Sequence, residues 1–206
     1  YEALLVAAQK WYEGKDRLLL ILPPNLLKQW MSKIESEFTL PYCLWDSGDA
    51  IPDADRLIIC TYDFAVRHAD AIGEKPWDLV IFDEADMLAK PHNKTVTALK
   101  TATDGSFKLL LTPTPITMSI MDIYGLIHFI DESVLPDSDD FYKRYFRRPE
   151  NYPELTSWVS RFAFRTLKSQ VTDYVGFTNR IPLTLNYNLP ALEKELYALL
   201  DQYLTL

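Results

Sequence analysis

Trp77-Asp78-Leu79-Val80-Ile81-Phe82-Asp83-Glu84-Ala85-Asp86 sets an almost unbroken apolar run directly against three carboxylates. A strand with one wet face alternates apolar and polar residues, whereas a strand covered on both faces by helices does not. Trp77 to Phe82 therefore reads as a buried strand of a parallel sheet. In such sheets ligands bind beyond the carboxyl ends of the strands, which is where Asp83, Glu84 and Asp86 stand. Taken alone, these residues also allow a second reading, an acidic turn in solvent.

Working outward, Leu18 to Leu22 is equally continuous and is ended by Pro23-Pro24. Ahead of it Leu4, Leu5, Ala8, Trp11 and Tyr12 recur at helical spacing and stop at Gly14. After it Asn25 is placed to cap a helix whose apolar face is Leu26, Trp30, Ile34 and Phe38. Tyr42 to Trp45 is a short strand, Asp46 to Asp55 a turn-rich acidic stretch, and Leu57 to Cys60 a further strand with a helix from Asp63. Lys108 to Leu111 is again a strand. Ile116, Ile120, Ile123, Tyr124, Ile127 and Ile130 then trace an amphipathic helix. Strands alternating with helices predict an α/β fold with a parallel central sheet between helical layers.

Past the acidic connector Asp131 to Asp140 the character changes. Phe141 to Arg148 is basic and aromatic, a helix holds Trp158, Val159 and Phe162, and Leu183, Leu185, Tyr187 and Leu189 alternate like a half-exposed strand. Ala191 to Leu206 is helical again. The expected division is a lobe over residues 1–140 and a helical appendage over 141–206.

A chain of 206 residues buries roughly 70% of its unfolded surface, enough for a sizeable core. No apolar run is long enough to cross a bilayer, and the start at Tyr1 lacks the pattern of a secretory signal. The expectation is an intracellular protein with no membrane partner. The chain has no initiator Met and ends at Leu206 inside an apolar helical pattern, so both ends read as cut. Cys43 and Cys60 make neither a disulfide framework nor a zinc site, and Cys60 reads as a small core residue. The net charge of −8 counts against a nucleic-acid binder, which usually shows a basic footprint. It is unevenly spread, however: residues 1–142 hold 12 Lys/Arg against 23 Asp/Glu, and residues 143–206 hold 9 against 6.

Adjacent carboxylates at a strand end suit a nucleoside triphosphate with magnesium, an ion that keeps several waters and needs few protein oxygens. In that arrangement Asp83 holds Mg2+ through water. Glu84 orients and deprotonates the water that attacks the terminal phosphate, and Asp86, one turn on, bonds to a neighbouring strand end.

The flanking segments resemble one family. Leu22-Pro23-Pro24-Asn25-Leu26-Leu27-Lys28-Gln29-Trp30 looks like motif Ia of Swi/Snf-type ATPases of helicase superfamily two, and Cys60-Thr61-Tyr62-Asp63 like motif Ib. Asp78 to Asp86 is similar to motif II, the Walker B strand, and Leu110 to Ile116 to motif III. Phe164 to Val171 resembles the arginine–lysine segment that follows, while Leu189-Pro190 and Glu195-Leu196-Tyr197 resemble the stretch leading to the second lobe. The resemblance runs in order from about residue 18 to the end. It implies a RecA-like ATPase lobe using ATP and Mg2+, a second RecA-like lobe as partner, and double-stranded DNA as the track. It further implies a Gly-x-Gly-Lys-Thr loop immediately before Tyr1, for which Gly14-Lys15 is a poor substitute, so this stretch alone is expected to be inactive. Asp86 stands where the family usually has His, a spelling shared with DEAD-box RNA helicases. Pro113 stands where Gly or Ala is usual, and it removes a backbone N–H. Thr112 and Thr114 remain for coupling; Thr114 with Pro115 also reads as a helix cap and first helical residue.

By the same resemblance motifs Ia and Ib line the DNA track. Asn25, Lys28 and Gln29 begin a helix whose amides suit a phosphate, and Thr61 and Tyr62 offer hydroxyls, contacts that position without reading bases. Trp30 itself reads as core. Arg161, Arg165 and Lys168 share one face if helical, belonging to a phosphate track or to a solvated or docking face. His68, His92 and His128 show no grouping, and His128 is expected to pack or hydrogen-bond within its helix. The implied function is an ATP-dependent translocase on duplex DNA. An RNA or single-strand helicase lobe and a non-catalytic interaction module with a decayed nucleotide site are the alternatives.

Overall fold

The structure is a computed structural model and describes residues 1–52, 56–166, 182–185, 187–188 and 190–204. Contacts group Tyr1–Ala163 in one unit and Phe164–Leu206 in a second.

Five parallel strands form the sheet of the first unit: β1 (Arg17–Leu22), β2 (Tyr42–Leu44), β3 (Arg56–Thr61), β4 (Leu79–Asp83) and β5 (Lys108–Leu111), in the order β2-β3-β1-β4-β5. Each apolar run is a strand because both faces are covered. Leu18, Leu20, Leu22, Leu57, Ile59, Leu79 and Ile81 pack against α1 (Glu2–Tyr12) and α2 (Leu27–Glu37) through Ala3, Leu4, Ala7 and Ile34. The alternate residues Leu19, Ile21, Ile58, Cys60, Val80 and Phe82 meet α3 (Tyr62–Arg67), α4 (Ala69–Gly73), α5 (Lys94–Ala102) and α6 (Met121–Ile130) through Phe64, Ile72, Leu99 and Phe129. The result is the expected three-layer α/β lobe. Leu18 to Leu22 are fully buried, and each such side chain contributes roughly 1.5–3 kcal/mol. Burial also pushes the Cys60 thiol up to about 12, which leaves it an inert core residue.

Helices α7 (Ser138–Tyr145) and α8 (Tyr152–Val159) lie in the same unit, where Phe141, Tyr145 and Leu155 pack with Ile120, Met121 and Tyr124 at the start of α6. The second unit contains α9 (Ala191–Leu204), the helix expected there. No described helix is long and apolar enough to cross a membrane.

Several local expectations need correction. Asn25 is no N-cap: Pro24–Leu26 forms a 3-10 turn, with Leu26 N–H donating to Pro23 C=O at 3.1 Å, and α2 starts at Leu27 without a side-chain cap. Proline's fixed φ suits it to open the tight turn. Thr114 does not cap α6, which starts at Met121. Asp122 instead draws Thr117, Met118 and Ser119 N–H to its Oδ2 at 2.8, 2.8 and 3.2 Å, and holds residues 117–119 out of helical geometry. Burial pushes the Asp122 carboxyl up, but those donors outweigh it and leave it below the usual range.

Arg161 and Arg165 share no helix face. α8 ends at Val159, its last turn tightened by Arg161 N–H to Trp158 C=O and Phe162 N–H to Val159 C=O. Lys168 and Leu189 lie outside the described residues. Leu183, Leu185 and Tyr187 form no strand, since alternation needs a ladder partner and no described ladder includes them. Helix α5 lies outside the elements read from the sequence, although Asn93, which caps it by accepting from Thr95 N–H at 2.9 Å, precedes Val96, Leu99 and Ala102 at helical spacing.

Candidate active site

The register aligns the strand ends in one row: Leu22 pairs Thr61, Ile21 pairs Phe82, and Asp83 pairs Leu111. The segments after β1, β3, β4 and β5 therefore leave the sheet along one edge. Asn25, Lys28, Gln29, Thr61, Asp83, Glu84, Asp86, Thr112 and Thr114 all stand on those segments. β1 and β4 are neighbours, and the chain departs from β1 to one side and reaches β4 from the other. In an open α/β sheet this reversal marks the ligand crevice.

Asp83 ends β4 and is tied at three atoms. Its Oδ2 accepts from Trp30 Nε1–H at 2.6 Å, its Oδ1 from Glu84 N–H at 3.0 Å, and its carbonyl from the Tyr62 hydroxyl at 2.8 Å. Glu84 adopts φ 51°, ψ 51°, a left-handed conformation that costs a non-glycine residue roughly 1–2 kcal/mol. The turn points the chain into a 3-10 helix, Ala85–Ala89, and leaves Glu84 part-buried beside Asp83. Burial raises the Glu84 carboxyl above its ordinary range, and the charges of Asp83 and Asp86 add to the shift. Among the described residues no Lys or Arg pairs with any of the three carboxylates. Asp86 follows in the 3-10 helix, partly buried.

That 3-10 helix packs on α6 at Gly125. A Cβ added to Gly125 would stand 1.8 Å from the Ala89 carbonyl oxygen. Only glycine lets the two backbones approach this closely, so α6 acts as the floor beneath the carboxylate turn. Beyond β5, Thr112 Oγ1 accepts from Thr114 N–H at 3.1 Å and closes a small turn around Pro113.

Three expectations resolve differently here. Tyr62, expected to face nucleic acid, is buried with its hydroxyl spent on Asp83, and burial followed by the nearby carboxylates pushes its pKa up. Thr61 caps α3 by accepting from Phe64 N–H at 3.4 Å. Trp30, read as core, does pack with the α1–α2 layer, but its indole N–H also reaches Asp83. Lys28, Gln29 and Asn25 are exposed. Arg165 is exposed in the second unit. His128 stacks on Tyr124 within α6, as its sequence position suggests.

Comparison with known proteins matches residues 3–204 to the family described as SNF2-related domain. The chain is 26% identical over 211 residues to the zebrafish (Danio rerio) chromodomain-helicase-DNA-binding protein 1-like, covering 95% of this chain and 20% of that protein. It is 24% identical over 221 residues to the Danio rerio DNA repair and recombination protein RAD54-like, covering 89% of this chain and 29% of the relative. The chain thus spans under a third of the length of either relative. The SWI2/SNF2 ATPase core of Sulfolobus solfataricus, solved in complex with dsDNA, superposes with TM-score 0.68 at 23% identity, over 80% of this chain and 36% of that one, a likeness of fold.

Proposed function

The chain belongs to the SNF2-related domain family, and from that premise we propose that it forms part of an ATP-driven translocase on double-stranded DNA. Residues 1–140 serve as the body of a RecA-like ATPase lobe, α7 and α8 pack on it within the unit that ends at Ala163, and the stretch beyond leads to a second RecA-like lobe that completes the ATP cleft. The observation that carries the reading is the carboxylate turn at the end of β4, left without cationic partners among the described residues, while Asp78 just ahead of the same strand is paired with Arg17 and Lys15.

The donor set suits magnesium. Among the described residues no three His, Cys, Asp or Glu side chains gather to enclose a metal by themselves. Mg2+ asks for few protein oxygens, keeping waters and substrate phosphates as its other ligands. Asp83 would hold the ion through one of those waters. Bound ATP with Mg2+ brings the scissile phosphoanhydride bond and the positive charge this edge lacks.

Glu84 accepts the proton of the attacking water; its raised pKa brings it closer to the working pH, where a general base is most effective. Its left-handed backbone, held by the Asp83 carboxylate, sets where that carboxyl points. Asp86 adds negative charge behind the site. Thr112 and Thr114 carry the state of this edge into the turn around Pro113. Asn25, Lys28, Gln29 and Thr61 hold the phosphates of one DNA strand without reading bases, with Arg165 and Lys168 further phosphate contacts beyond the lobe.

The test uses the intact protein. ATP hydrolysis is measured with duplex DNA, single-stranded DNA and RNA, alongside the Glu84→Gln variant. Stimulation by duplex DNA above the other two is expected, with a fall of roughly 10²–10⁴-fold in the variant, the weight of general-base catalysis. Full activity in Glu84→Gln overturns the role of Glu84. Preference for RNA or single strands overturns the duplex track.

A further inference from the structure

Resting on the reading of the start of α2 as a nucleic-acid face, we infer that Trp30 is the positioning residue through which nucleic acid held there sets the orientation of the Asp83 carboxylate. Lys28 and Gln29 occupy the first turn of α2 and are exposed, and Asn25 lies in the 3-10 turn just ahead. Trp30 stands in the same turn. At roughly 100° per residue its side chain leaves the helix on the side opposite Lys28. The outer surface of this turn is thus polar and open, while its inner surface packs against the core through Leu27, Trp30 and Met31 and reaches Asp83 by one hydrogen bond of 2.6 Å.

Asp83 is built so that this bond matters. Its backbone is pinned by the Tyr62 hydroxyl and by the β4 ladder. Its Oδ1 is taken by its own neighbour, Glu84 N–H. The remaining freedom is rotation of the carboxylate, and the only donor that reaches it from another element among the described residues is the Trp30 indole. A rotation or slide of α2 that seats a phosphate against Lys28 and Gln29 must carry the indole with it, because Ile34 and Phe38 hold the far end of the helix in the core. A part-buried indole N–H must find an acceptor, and here the acceptor is a carboxylate at the end of β4 rather than a backbone carbonyl of the surrounding core.

Three measurements on the intact protein test the relay. First, binding of a fluorescent DNA duplex is followed by anisotropy; if no duplex binds, the functional reading itself fails. Second, with tryptophan labelled by 15N and neither nucleotide nor metal added, the Trp30 indole resonance is identified by its loss in Trp30→Phe. It is expected to shift on addition of the duplex. An indole resonance unmoved by bound duplex overturns the relay.

Third, Trp30→Phe keeps an aromatic ring but loses the N–H. The ratio of DNA-stimulated to basal ATP hydrolysis is expected to fall about tenfold, the weight of a hydrogen bond to a charged acceptor, with duplex affinity unchanged. A ratio within about twofold of the parent's overturns the proposal, since tenfold is the least such a bond should weigh. Should Trp30→Phe fail to fold, replacing the indole with benzothiophene, which keeps its shape and lacks the donor, decides by the same ratio.

Discussion

Asp78 and Asp83 stand at opposite ends of one strand and receive opposite treatment. Asp78, at the amino end, accepts from Arg17 Nε at 3.1 Å, Arg17 Nη2 at 3.2 Å and Arg17 N–H at 3.2 Å, with Lys15 Nζ at 3.8 Å. Its side chain is only 10% exposed, and the Arg17 hydrogen bonds hold its carboxyl below the usual range. At the carboxyl end Asp83, Glu84 and Asp86 crowd together without a cation among the described residues, and Glu84 is shifted the other way. One end of β4 thus carries a carboxylate paired with cations, and the other carries three adjacent carboxylates without a cation among the described residues. Adjacent carboxylates without a cationic partner in a crevice are what a site for a cationic ligand requires.

The largest expected effect sets the two ends directly against each other. Asp83→Asn removes the carboxylate proposed to hold magnesium, a contribution of several kcal/mol to the barrier, so ATP hydrolysis by the intact protein should drop at least about 100-fold. Asp78→Asn should leave hydrolysis within about threefold of the parent, since it touches only the amino edge. Equal losses in both variants would erase the distinction.

Next comes the floor beneath the carboxylate turn. Gly125→Ala forces a methyl into the Ala89 carbonyl, and overpacking of this kind costs about 1–3 kcal/mol. Thermal unfolding should show that loss, whereas Gly14→Ala, with open space around its Cβ position, should show only the smaller cost of its positive φ. A neutral Gly125→Ala would mean that α6 does not support the turn.

The smallest effects have opposite signs with pH. Asp78 has a depressed folded pKa, so its contribution is full above the ordinary aspartate value of about 3.9 and is lost as pH falls through the folded value. Asp78→Asn should therefore cost about 1 kcal/mol at neutral pH, a partly exposed pair being worth little more, and the difference should vanish in acid. Glu84 has a raised folded pKa. Its ionisation opposes folding, and stability declines as pH rises from the ordinary glutamate value of about 4.3 through the folded one. Glu84→Gln should accordingly match or slightly exceed the parent in thermal stability at neutral pH while losing activity. Chemical denaturation across acid and neutral pH separates the two slopes.

Much of this molecule was legible in one dimension. Leu18 to Leu22, Leu57 to Cys60 and Leu79 to Phe82 are continuous because both faces are buried, and that pattern is local. So is the placement of Asp83 and Glu84 straight after a strand, which makes the candidate site legible in the order of residues. The role of Trp30 was not legible. A tryptophan on the apolar stripe of a helix reads as packing, and its bond to Asp83 spans most of the sheet's connectivity. Tyr62 likewise looked available to a ligand until α3 turned its hydroxyl inward. Gly125 in mid-helix, and Asp122 gathering the loop before its own helix, have no periodic signature at all.

The sequence alone determined the layers, the strands and the carboxylate turn, because burial on two faces and a strand end are written in the order of residues. Only the tertiary structure decided which of those residues meet. The strand order β2-β3-β1-β4-β5 lays β4 beside β1, and that adjacency brings the helix after β1 within hydrogen-bonding distance of Asp83. Periodicity records which side of an element is apolar; it carries no record of which neighbour the crossovers will bring to that side.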